Sequence, residues 1–202
     1  MLRPGSEAPV LTRGIVAIVG VLWVLGFFVA NLPLELLALI PPASFQVWRF
    51  VSAPFVYPSL LEFQIIFALL LNAFFFLLTA PFVERTLGRA RFAWLFLAAG
   101  ALSSACMLLA GQSYYGLVGP LFAMFGAYLV FTWQHPQARV QAIIIIGLNL
   151  LFVLAFGARS LPAIIGGLIA GAGIAFLLQR YDDRPVSQRR VPYLISGGVA
   201  FG

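Results

Sequence analysis

Gly116-Leu117-Val118-Gly119-Pro120-Leu121-Phe122-Ala123-Met124-Phe125-Gly126-Ala127 is the stretch that decides how this chain folds. It holds no charged residue, sets a proline near its start and spaces Gly116, Gly119 and Gly126 among large apolar side chains. Proline suits the first turn of a helix, where its missing N–H has no intrahelical partner to lose. Small residues let the backbones of membrane helices approach closely. The pattern predicts an apolar helix over Gly116–Trp133 with a face built for another helix. Downstream, Ala163-Ile164-Ile165-Gly166-Gly167-Leu168-Ile169-Ala170-Gly171 offers a matching small face, extended by Gly173, so these two segments should touch.

Similar apolar runs lie on either side, at about Gly14–Leu32, Glu62–Val83, Phe92–Gly111, Val140–Phe156 and Leu161–Leu178. About 20 such residues, at ~1.5 Å rise each, match a hydrocarbon core of ~30 Å. The 202-residue chain is 62% hydrophobic and 9% charged, against roughly 45–50% and 25% for soluble domains. The expected fold class is therefore an all-α integral membrane protein of six transmembrane helices, with a long loop between the first two.

The first run is too long for the apolar part of a signal peptide, and Asn31-Leu32-Pro33 is no small-x-small cleavage site, so it reads as a retained helix. Pro33, Pro41, Pro42, Pro54 and Pro58 break the pattern from Pro33 to about Leu60. That segment is too apolar for a solvated loop, and is expected in the headgroup region or folded onto the bundle, with Trp48 and Tyr57 at the interface.

All twelve basic residues are arginines, and alternating spans put Arg3, Arg13, Arg85, Arg89, Arg91, Arg139, Arg180, Arg184, Arg189 and Arg190 on one side, Arg49 and Arg159 on the other. The positive-inside rule then makes both termini cytoplasmic. This divides the chain into a cytoplasmic segment 1–13, a membrane domain 14–178 and a cytoplasmic tail 179–202, whose apolar end Val191–Gly202 is too short to span. The net charge of +6 reads as topology signal and lipid-headgroup contact, not as a nucleic-acid surface. Cys106 has no disulfide partner in the chain, and the single histidine, His135, lies in a polar connection, so neither a metal nor a cofactor is expected.

Four motifs, in order, give the chain a resemblance. Trp48-Arg49 lies in the long loop. Asn72 is followed by Glu84-Arg85-Thr86-Leu87-Gly88 and Phe92, and the Gly116–Ala127 and Ala163–Gly171 stretches come after. Together they resemble the rhomboid family: its tryptophan-arginine loop motif, its Asn…Glu-x-x-x-Gly…Phe pattern, its Gly-x-Ser-Gly helix start and its Ala-His-x-x-Gly-x-x-x-Gly last helix, over about Gly14–Leu178. The resemblance implies the rhomboid six-helix fold, and an intramembrane protease in which a histidine takes the proton of a serine nucleophile. At the matching positions stand Val118 for the serine, Ile164 for the histidine base and Ala68 for an oxyanion-stabilising histidine. The histidine that often closes the loop motif is Tyr57. Trp48, Arg49, Asn72, Glu84, Gly88, Gly116, Gly119, Gly166, Gly167 and Gly171 are the motif residues retained.

The resemblance so altered implies a pseudoprotease that binds or scaffolds transmembrane helices of other membrane proteins, or lipid tails, as derlins and inactive rhomboids do. A bacterial plasma membrane is the expected location. Two alternatives stay open: an active protease using an unforeseen nucleophile, for which Ser103, Ser104, Ser113 and Ser160 lack an activating histidine or lysine within a span, and a stoichiometric subunit of a larger membrane complex. A transporter is disfavoured, because the spans carry almost no ionisable groups. Elsewhere, Glu84 beside Arg85, Arg89 and Arg91 suggests a local ion pair or cap. Arg49 suggests a structural anchor on backbone carbonyls or headgroups. Asn72, Gln64 and Asn149 suggest hydrogen bonds between helices.

Overall fold

The computed structural model describes residues 8–29, 32–41, 46–156 and 158–182. Its long helices are α1 (Val10–Phe28), α4 (Phe63–Leu87), α5 (Arg89–Leu109), α6 (Val118–Thr132), α7 (Pro136–Phe156) and α8 (Leu161–Asp182); the short α2 (Leu32–Leu37) and α3 (Arg49–Ser52) lie between α1 and α4. Five of the six have the length and apolarity to cross a bilayer, with mean hydropathy of 2.0 to 2.3. Their outward faces carry exposed Ile18, Val21, Leu70, Phe74, Ile144 and Leu151. Such a surface is stable only against lipid.

The expected six-helix bundle is present, with corrected ends. The first helix begins four residues earlier than the apolar run and stops at Phe28, and Pro33 belongs to α2. The last helix runs on through Gln179 to Asp182, because amphipathic residues extend a helix beyond the hydrocarbon as readily as apolar ones. Residues 1–7 with Arg3, and 183–202 with Arg184, Arg189, Arg190 and the apolar end Val191–Gly202, lie outside the described residues.

The exception in length is α6, whose 15 residues span about 22 Å. It need not reach across the bilayer because protein surrounds it: α4, α5, α7 and α8 all pack on it, and ten consecutive residues, Val118–Ala127, are buried. Its tightest neighbour is α8, as the glycine faces predict. Gly167 lies against the Gly119 carbonyl and Gly171 against the Ala123 carbonyl, so close that a Cβ at either position would overlap the opposite backbone. The small face is narrower than expected. Gly166 turns towards α5, where a Cβ would come within 2.8 Å of Cys106 Sγ, and Gly173 borders open space.

The segment between α1 and α4 folds onto the bundle. Arg49 is 8% exposed and donates to the Ala38 carbonyl at 2.5 Å and to Gln46 Oε1, the anchoring role expected of it. Ser104 Oγ on α5 donates to the Phe50 carbonyl at 2.9 Å, and a two-way backbone bridge joins Leu39 to Tyr114. Trp48 stays at the surface, but Tyr57 does not: it is 6% exposed and points inward, since Pro58 and Ser59 are pinned to Trp23 of α1 beside it.

At the opposite end Glu84 is buried, and both of its oxygens accept from the start of α1: Oε1 from Leu11 N at 2.9 Å, Oε2 from Thr12 N at 2.8 Å and Thr12 Oγ1 at 2.6 Å. The expected local cap is thus a cap on another helix. The N–H groups of a helix start need acceptors, and the partial positive charge there favours a carboxylate. Gly88, at φ +79°, is the single residue between α4 and α5, in a conformation strained for residues with a Cβ.

Candidate functional site

A cavity of about 440 Å³ lies where α4, α6 and α7 meet. α4 and α7 each pack mainly on α6, and the cavity lies in the gap between them. Across that gap the Phe67 and Phe152 rings meet edge-on at 5.9 Å, and Phe63 stacks on Phe67 at 5.6 Å.

Three positions singled out in the sequence come together in its wall: Ala68 and Asn72, one turn apart on α4, and Val118 at the start of α6. Ile164 is 4% exposed and is buried in the core instead. Trp48 and Arg49 serve the loop, and Glu84 and Gly88 lie at the far end of α4. Gly119, Gly167 and Gly171 form the α6–α8 seam. Gly116, at φ +88°, passes under the Tyr57 ring, where a Cβ would come within 2.7 Å of Cζ.

Sequence reasoning misplaced the role of Tyr57 and did not single out Tyr114. The Tyr57 hydroxyl accepts from Asn72 Nδ2 and from Leu117 N, both at 3.0 Å. The Tyr114 hydroxyl accepts from Gly119 N at 3.2 Å. Two phenols therefore satisfy donors at the start of α6, and one of them also takes the amide of Asn72. Burial pushes the Tyr57 phenol up to about 12, with the Asn72 and Leu117 hydrogen bonds opposing it, so it stays neutral at ordinary pH. Burial raises that of Tyr114 as well. The signal for Tyr57 lay in its flanking prolines and in the glycine at 116, which leaves room for its ring.

Among the described residues, the cavity wall contains no histidine, cysteine, lysine or carboxylate. Of the serines considered as substitutes, Ser104 donates to the loop and Ser103 is buried in α5, whereas Ser160 does line the cavity. Asn149 also lines it. Among the described residues, the helix partner expected for its donor is absent: Nδ2 is buried without a hydrogen-bond acceptor.

A family model described as the rhomboid domain matches residues 44–181, from the loop before Trp48 almost to the end of α8. The chain belongs to the rhomboid family. Comparison with curated proteins finds no match. Within the rhomboid domain, the cavity lies at the positions where the resemblance sets the serine and the oxyanion donors, and Val118, Ala68 and Asn72 are the residues of this rhomboid there.

Proposed function

We propose that this rhomboid-family chain does not cleave peptide bonds, and that it holds transmembrane segments of other membrane proteins in the gap between α4 and α7. The observation that carries the reading is the Tyr57 hydroxyl on Asn72 Nδ2 and Leu117 N, beside Val118. An acyl-transfer site needs a nucleophile, a base and free donors aimed at the developing oxyanion. Here valine stands at the nucleophile position, isoleucine at the base position, and a phenol of the chain itself takes the donors. The same features make an apolar cavity open to lipid, suited to a helix side that carries few polar groups. The arginine distribution supports cytoplasmic termini, and the composition a bacterial plasma membrane.

Gentle detergent extraction of the native protein, with mass spectrometry of co-purifying chains counted against a mock purification, tests this. Many substoichiometric membrane proteins, all intact, is the expected result. One partner in fixed ratio makes the chain a complex subunit. Accumulating peptide fragments, or covalent labelling by a fluorophosphonate probe, restores the protease reading.

A further inference from the structure

Asn149, which lines the cavity between α4 and α7, has a side-chain donor, Nδ2, with no acceptor among the described residues. It is 1% exposed. A buried amide donor left unpaired is destabilising, and native proteins rarely leave one without water, ion or ligand. The amide's χ2 torsion is soft, so a small rotation turns Nδ2 into the cavity. Asn149 lies seven residues before the end of α7, about 10 Å below it along the axis. Just beyond that end, the exposed residue Arg159 lines the same cavity.

Arg159, Ser160 and Tyr115 also line a second, polar cavity of about 490 Å³, walled further by Gln112 and Ser113. The two cavities share these three residues, one being mostly apolar and open between helices, the other polar and beyond the helix end. Among the described residues, neither wall contains a carboxylate. Guanidinium groups only donate, so an anion or carbonyl is favoured and a cation is not.

We infer that the joined cavities bind a single-chain glycerophospholipid, its phosphate at Arg159, its ester carbonyl accepting from Asn149 Nδ2, and its acyl chain leaving between α4 and α7 beside the Phe67 and Phe152 rings. The roughly 10 Å between the helix end and Asn149, shortened by the reach of the two side chains, suits a phosphate and an ester carbonyl joined through glycerol. A volume of about 440 Å³ is in the ~300–1,000 Å³ range of small-molecule sites. This goes beyond helix capture and stands or falls separately from it.

The test is binding of three probes to the full chain in maltoside detergent, read by native mass spectrometry and thermal shift. Palmitoyl lysophosphatidate carries both acceptors, palmitate has only the anion, and monopalmitoylglycerol has only the ester. Lysophosphatidate is expected to bind at one per chain, at least tenfold more tightly than either of the others. Asn149→Leu and Arg159→Gln should each weaken it about tenfold, and ligand-free Asn149→Leu should melt no lower than the parent. Equal binding of palmitate or monopalmitoylglycerol overturns the inference, as does unchanged affinity in either variant. A lower melting temperature for ligand-free Asn149→Leu assigns Asn149 to packing, with the same consequence. Should Asn149→Leu fail to accumulate, Arg159→Gln at the exposed mouth carries the test alone.

Discussion

Glu84, near the end of α4, accepts two hydrogen bonds from Thr12, one from its backbone N–H at 2.8 Å and one from its hydroxyl at 2.6 Å. With the third, from Leu11 N, they make a carboxylate on one span the N-terminal cap of another, 72 residues away in sequence. The rest of α1 is held by Trp23, bonded to Pro58 and Ser59, and by a narrow buried face of Thr12, Ile15, Val19 and Gly26.

Glu84→Ala should therefore loosen α1 specifically. Hydrogen bonds to a charged group contribute about 1.5–3 kcal/mol each, so the loss should be large, with Glu84→Gln milder because one acceptor oxygen remains. Thr12→Val should lose less again. A double-mutant cycle between Glu84→Gln and Thr12→Val, read by thermal melting in detergent, should be non-additive; additive losses would show that the two side chains act independently.

The α6–α8 seam predicts a sharp contrast among glycines. Gly171→Ala and Gly167→Ala drive a methyl into the carbonyl of Ala123 or Gly119 and should prevent folding or lower the melting temperature severely. Gly173→Ala, two residues further on, meets nothing within 4 Å and should change stability by no more than about 0.5 kcal/mol. Similar behaviour of Gly171→Ala and Gly173→Ala in a melting assay would contradict this packing.

Tyr57→Phe removes the acceptor shared by Asn72 Nδ2 and Leu117 N. Leaving the buried Leu117 N unpaired costs about 1–3 kcal/mol, so the variant should melt below the parent. It should also stay unreactive towards a fluorophosphonate, since freed donors do not supply a nucleophile. Labelling of Tyr57→Phe would show a serine masked by this phenol.

The pH dependence follows from the same phenol. Its ionisation in the fold is raised from 10.0 to about 12, so above pH 10 the unfolded chain releases this proton first, and stability falls as pH rises. The contribution is complete below pH 10, and at ~1.4 kcal/mol per unit about 2–3 kcal/mol should be lost by pH 12. Melting temperatures from pH 8 to 12 should be flat and then fall, with a shallower fall in Tyr57→Phe. An equally steep fall in that variant would place the alkaline sensitivity elsewhere.

How much was legible varied with the range of the interaction. The spans could be read because each must be apolar over a bilayer's thickness by itself, whatever its neighbours. The contact between α6 and α8 was visible because close backbone approach demands glycine at fixed helical spacing, and Gly119, Gly126, Gly167 and Gly171 stand there. Tyr57 was misread, as a tyrosine among prolines on the surface side suits an interface equally well. Asn149 and Asn72 looked alike in sequence, each a lone amide in a span, and they differ only in what lies across from them.

By itself, then, the sequence determined that the chain lives in lipid and that it forms a rhomboid-like bundle of six helices. These depend on residue type and local spacing. The tertiary structure alone decided that Glu84 caps α1, that Tyr57 takes the donors beside Val118, and that Asn149 faces a cavity without a partner. A hydrogen bond between distant residues depends on a few tenths of an ångström in helix placement, and that placement is set by the packing of the whole bundle.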